Sequence, residues 1–212
     1  MSLGLFRRFG LTAGGGGVGI EFIGSSDYAG ASAGSFATPV GTAEGDLMFL
    51  WCVRRANSTN SNPEGGGWTL RLSDLSGDTR VQLYTKTAGA SEAATITTAL
   101  GGFHAGNLMV FRNAAITTIL QATAGGFDNP TIPSVTGSEG SVLVGLWGSA
   151  SGSVSAMTPP AEMVTIEISV SGTSIACSSA YEVMLADGAT PPRTTTGGGS
   201  RDKAVAVLLN AA

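Results

Sequence analysis

The sequence predicts an all-β chain, an antiparallel two-sheet β-sandwich of jelly-roll type over residues 20–212, preceded by an extended N-terminal arm over 1–19. Three observations predict it. Short apolar or alternating runs recur at brief intervals, about ten or eleven in all. Glycine and proline punctuate them, with 32 glycines and 8 prolines in 212 residues. No window of about 11 residues keeps a 3.6-residue amphipathic period free of Gly or Pro, so nothing remains to build the crossover helices of a βαβ fold.

The arm comes first. Leu3, Leu5, Phe6, Phe9 and Leu11 form an apolar set broken by Arg7 and Arg8, and Gly14 to Gly17 follow as a flexible joint. Leaving such side chains in water costs about 1.5–3 kcal/mol each. The arm therefore reads as an assembly contact that packs on a neighbouring subunit, with Leu3, Leu5, Phe6, Arg7, Arg8, Phe9 and Leu11 as its residues; the alternative is a frayed or self-packed terminus. It is not expected to be a secretion signal, because glycines stand where an apolar core would be needed. No apolar run reaches the roughly 18 residues of a membrane helix.

Residues 20–23 open the first strand, and a Gly/Ser/Ala loop is expected up to Val40. Residues 47–53 (LMFLWCV) are a continuous apolar run, as a strand buried on both faces requires. Residues 57–67 (NSTNSNPEGGG) are a loop by composition. Strands are then expected at 68–72, 80–86, 94–100, 106–112, 116–122 and 141–147 (SVLVGLW). At 164–170, Val164, Ile166, Ile168 and Val170 alternate with Thr165, Glu167 and Ser169, a period-2 strand with one wet face. Runs at 174–185 and 203–209 complete the set. Trp51 and Trp147 lie within apolar runs and are expected in the core. Trp68 follows a glycine run and is either packed on the sandwich end or, with Asn57 and Asn60, a loop contact.

Charged residues make up only 12% of the chain, about half the usual share. Such a neutral surface suits a protein held in an assembly. The net charge of −4 and the absence of a basic, aromatic-interleaved stripe argue against nucleic-acid binding. Cys52 and Cys177 are either two buried reduced thiols or a bridge between facing strands.

Catalytic motifs fail on context. Gly30-Ala31-Ser32-Ala33-Gly34 matches the G-x-S-x-G nucleophile elbow, with Asp74 and His104 following in triad order. The elbow needs a buried strand before and a helix after, and Pro39 stands where the helix would begin. Gly14, Gly16 and Gly19 match G-x-G-x-x-G but precede a strand, with no helix amides for a phosphate. His104, the single histidine, excludes His-based metal clusters and reads as part of a turn at 101–106. Asp74 with Asp78, and Asp187 with Asp202, are the carboxylate pairs open to glycosidase chemistry, yet each reads as a turn residue. No EF-hand-like spacing supports calcium at Asp74, Asp78 or Asp128. No catalytic residue, metal or cofactor is expected.

Several stretches carry a resemblance: Glu44-Gly45-Asp46-Leu47-Met48-Phe49, Gly67-Trp68-Thr69-Leu70, Tyr84-Thr85-Lys86-Thr87-Ala88, Leu108-Met109-Val110-Phe111-Arg112-Asn113, Pro133-Ser134-Val135-Thr136, and Thr158-Pro159-Pro160-Ala161-Glu162-Met163. With the closing run at 204–209, they make the chain from Ile20 onward resemble a family of β-sandwich domains in tailed bacteriophages, prophages and bacterial surface proteins. The arm resembles the virion-attachment peptide of phage fibre or decoration proteins. The resemblance implies a non-enzymatic virion protein assembled in the bacterial cytoplasm, either a capsid decoration or cement protein (or head fibre) or a tail-fibre module that holds a host glycan. Its partners would be the major capsid protein or tail components, and its own copies in a homo-oligomer such as a trimer, with neither nucleic acid nor membrane.

Overall fold

A computed structural model describes residues 19–30, 33–55, 63–76, 79–98, 104–123 and 129–212. Sixteen strands and no helix occur among them: β1 (Glu21–Gly30), β2 (Gly34–Ala37), β3 (Leu47–Arg55), β4 (Thr69–Ser76), β5 (Thr79–Thr87), β6 (Thr95–Thr98), β7 (His104–Arg112), β8 (Ala114–Thr123), β9 (Thr131–Ile132), β10 (Thr136–Gly137), β11 (Val142–Ala150), β12 (Val164–Ser171), β13 (Ile175–Val183), β14 (Gly188–Ala189), β15 (Arg193–Thr194) and β16 (Asp202–Ala211). Two antiparallel five-stranded sheets form the body, as the sandwich expectation requires. Sheet one has the order β1-β7-β3-β5-β4 and sheet two β8-β16-β11-β13-β12.

The sheets close on a shared core. Phe49, Trp51, Val53, Leu83, Met109 and Phe111 of sheet one meet Val144, Leu146, Ile175, Cys177, Val205 and Val207 of sheet two. Each such side chain contributes about 1.5–3 kcal/mol on burial. Buried hydrogen bonds cross between the sheets, among them Trp51 Nε1 donating to the Trp147 carbonyl at 3.0 Å and Thr79 Oγ1 to that of Ala150 at 2.7 Å.

The outer faces are covered too. The β2–β6 ribbon and Trp68 lay Phe36, Ile96 and the indole over Met48, Leu50, Cys52 and Leu108. Ile132 of β9 and the loop residues Val135, Met157 and Met163 cover Leu143, Trp147, Ala204 and Leu208. Central strands are thus buried on both sides, which is why β3, β7, β11 and β16 each carry a continuous apolar stretch, at 47–53, 108–111, 142–148 and 204–209.

Three expectations need correction. The stretch from Gly24 to Val40 is not one loop, since β1 continues to Gly30 and β2 follows. His104 is not in a turn; it starts β7, fully buried, with its ring stacked on Tyr28 at 4.9 Å. In β12 the expected wet face is turned inward. A bulge between Thr165 and Glu167 breaks the alternation. Ser169 is 2% exposed, while Val164, Ile168 and Val170 are 55, 39 and 37% exposed. The inward polar face is satisfied by the neighbouring edge: Ser25 donates to Glu167 at 2.7 Å, and Ser169 joins Asn107 and Asp27 at 2.9 and 2.8 Å.

Each sheet comes from one half of the chain, and the halves repeat one topology. First, second, third, fourth and fifth long strands are ordered 1-5-2-4-3 in both. In each half the short strands of the 1–2 and 4–5 connections pair with one another: β2 with β6, then β9 with β15 and β10 with β14. The irregularities repeat as well. Strands β1 and β8 bulge at Ile23 and Thr117, and β4 and β12 at Arg71 and Ile166. Gly45 and Gly140 enter β3 and β11 with φ of 89 and 82°, a backbone that suits glycine. Their amides donate to Ala88 and Met184 at 2.9 and 2.8 Å, and those residues donate back to Asp46 and Ser141, both at 2.8 Å. Register assigns the equivalences across the halves without reference to side-chain similarity.

Candidate functional site

The repeat exposes a difference between the two open sides of the sandwich. Strand β1 packs along β12, and its Phe22 is in ring contact with Tyr181 of β13 at 5.4 Å. Register makes Ile116 the counterpart of Phe22 and Thr85 that of Tyr181. On that opposite side the smaller side chains leave β4 standing off β8. A groove of about 390 Å³ results, lined by Leu47, Gly67, Thr69, Arg71, Thr85, Lys86, Thr87 and Ile116.

The groove's chemistry follows from its strands. The β4 bulge turns the exposed Arg71 into a position that Ile166 holds in the other half. Thr69, Thr85 and Thr87 bring hydroxyls. Lys86 is anchored at the side, its ammonium 2.8 Å from Glu92, whose other oxygen accepts from the Gly89 amide at 2.7 Å. Burial alone would raise the Glu92 carboxyl, but that amide and Lys86 hold it below its ordinary value. The lining offers cations and hydroxyls with no carboxylate or imidazole, an arrangement for holding an anion or polyol.

The sequence-derived sites distribute otherwise. The arm residues Leu3, Leu5, Phe6, Arg7, Arg8, Phe9 and Leu11, the loop residues Asn57 and Asn60, and Ser32, Asp78 and Asp128 lie outside the described residues. Trp68 is not a loop contact: it is 7% exposed and part of the outer core of sheet one, the packed alternative, although it adjoins Gly67 of the groove. Asp74 is in strand β4 rather than a turn, bonded to Lys203 and Gln121. It stands three strands from His104, about 14 Å at ordinary strand spacing, so the two cannot share a proton. Asp187 lies in a bend before β14 and accepts from the amide of Glu139, on another connection, at 2.8 Å. Asp202 is buried at the opposite end of sheet two, bonded to the Gly199 amide at 2.9 Å. No cluster of three potential metal ligands occurs among the described residues.

Both cysteines are free and buried, Cys52 on the outer face of sheet one and Cys177 between the sheets, which removes the bridge alternative. Burial pushes the Cys52 thiol up to about 12 and raises that of Cys177 as well.

One pole of the sandwich gathers several termini and tips. Asn113 joins the halves there; its side chain donates to the Gly19 carbonyl at 3.4 Å, and its carbonyl accepts from Ala212 at 3.1 Å. Beside this junction Val40 is 98% and Leu185 80% exposed, the two most exposed large apolar residues described.

No family model, no curated protein and no solved structure matches the chain.

Proposed function

We propose that the chain is a non-enzymatic structural protein of a bacteriophage virion, a capsid decoration or cement protein (or head fibre) that binds the outer surface of the particle. The observation that carries the reading is the convergence at one pole. The root of the apolar arm at Gly19, the junction at Asn113 and the exposed tips Val40 and Leu185 all stand there. The apolar stretch that precedes Gly19 in the sequence, together with two exposed apolar tips at this pole, suits a clamp on a neighbouring subunit, where each large side chain contributes about 1.5–3 kcal/mol once buried. A stable contact would remove about 1,200–2,000 Å² from water. A symmetric homo-oligomer, with a trimer fitting a local three-fold of the capsid, belongs to the same reading.

The test is particle incorporation. Deleting residues 1–17, or changing Val40 and Leu185 together to Asp, should leave a folded domain that no longer joins particles. Normal occupancy for both variants would sink the clamp. The second reading, a tail-fibre module recognising a host glycan, draws on the groove, where three threonines, Arg71 and Lys86 match sugar hydroxyls and acidic sugars. It predicts glycan binding by the isolated domain that Arg71→Ala abolishes, with particle joining unaffected.

A further inference from the structure

The outer face of sheet one holds a buried cation pair that the proposed function does not use. Register places Arg54 of β3 directly beside Arg80 of β5, with His104 of β7 on its other side. Arg54 is 2% exposed, and its Nε and Nη2 have no hydrogen-bond partner among the described residues; Arg80 is part-buried, and its Nε has none among them either. Gln82 Oε1 and Thr98 Oγ1, on residues 3 and 2% exposed, are also without partners. Gly34 brings Thr98 up to His104: a Cβ there would meet Thr98 Oγ1 at 2.6 Å and His104 Nε2 at 2.9 Å. Among the described residues the charge neighbours of Arg54 are Arg80, Tyr84 and Cys52, none a carboxylate; burial, then Arg80, pull its guanidinium below the ordinary value.

This arrangement is unfavourable on its own terms. Like charges facing each other across a strand pair repel. Guanidinium does not shed its proton at working pH, so the pair cannot neutralise itself. A buried cation is tolerated when a counter-charge and hydrogen-bond acceptors reach it. Two neighbouring planar forks of N–H donors are the pattern that binds an oxyanion through paired hydrogen bonds.

We propose that Arg54 and Arg80 form a binding site for a small tetrahedral oxyanion, inorganic phosphate or sulfate. Thr98 would donate to the anion, and Arg80, the less buried partner, gives it a way in. The anion would fasten the β2–β6 ribbon, which carries Thr98, to the sheet beneath.

The test measures melting temperature against sodium phosphate and sodium sulfate, with sodium chloride at matched ionic strength as the control. Phosphorus NMR of inorganic phosphate supplies a direct reading of binding. A saturable rise of several degrees with both oxyanions but not chloride is expected, with broadening of the phosphate resonance. Arg54→Met and Arg80→Met should each abolish both signals. Without oxyanion they should melt no lower than the parent, because an unpaired buried charge has been replaced by an apolar chain. Arg71→Met, in the groove, should respond like the parent. Equal responses to chloride, or an unbroadened phosphate resonance with the parent protein, would overturn the proposal. So would a full response in Arg80→Met, which stands in should Arg54→Met fail to fold.

Discussion

The repeat supplies its own control for a buried ion pair. At the start of β3, Asp46 is 2% exposed; it accepts from the Ala43 amide at 2.8 Å and from Arg112 Nε and Nη2 at 2.9 and 2.8 Å. In the second half Ser141 takes the place of Asp46, accepting from Ser138 at 3.1 Å and donating to Asn210 at 2.9 Å. One fold therefore closes the same turn with a charged pair and with a neutral one. Breaking a buried pair from one side costs about 3–5 kcal/mol, and the low end applies or is undercut here because Arg112 keeps 32% of its side chain in water. Asp46→Ser and Arg112→Asn should each cost about 2.5 kcal/mol, lowering the melting temperature by about 5–10 °C. The double variant installs the neutral pair and should cost only about 3 kcal/mol, a coupling of about 2 kcal/mol. Urea unfolding of all four proteins, followed by tryptophan fluorescence, measures it. A coupling within about 0.5 kcal/mol of zero would refute both the pairing energetics and the equivalence of the two turns.

Three further predictions follow from local geometry. Burial raises the Glu167 carboxyl above its ordinary 4.5, with Asp27 adding to the shift and the Ser25 hydroxyl opposing it. A raised acid binds its proton more tightly folded than unfolded, so its contribution is complete below pH 4.5 and declines as pH rises through the folded value. Glu167→Gln should remove that decline, and urea midpoints across pH that run parallel for the two proteins would count against it. A Cβ at Gly145 would run into the Trp147 ring, whereas one at Gly45 meets nothing within 4 Å. Gly145→Ala should thus cost about 1–3 kcal/mol from overpacking. Gly45→Ala should cost about 1 kcal/mol, from its positive φ alone; calorimetry that reverses the order would contradict the packing. Cys52 and Cys177 should resist a thiol-specific disulfide reagent in the native protein and react on unfolding. Native labelling faster than global unfolding would show that one of them is reachable.

Much of the fold was legible along the chain. The run at 47–53 announced a strand covered on both sides, and Trp51 and Trp147 announced core, because burial leaves a mark in local composition. Glycine and proline marked the breaks between the runs at 80–86, 106–112 and 141–147. The sites were less legible. The sequence left Trp68 either packed or a loop contact, and only the structure settles it, because the cluster it joins, with Met48, Leu50 and Tyr84, draws on other strands. The repeat had a faint signal in Glu44-Gly45-Asp46 and Glu139-Gly140-Ser141, each before an apolar run. Side chains differ elsewhere, so the bulges, the register and the Gly45 and Gly140 turns are what reveal it. The groove had no signal at all, since it exists by the contrast of Ile116 and Thr85 with Phe22 and Tyr181.

The sequence by itself therefore determined strand content, the doubly buried centre and the punctuation, all of which depend on the few residues around each position. The tertiary structure decided which face of β12 is wet, that His104 is core, that the cysteines are apart and that Arg54 stands beside Arg80. Each of those depends on strand pairing across long loops, and a one-residue bulge reverses which side chains look inward.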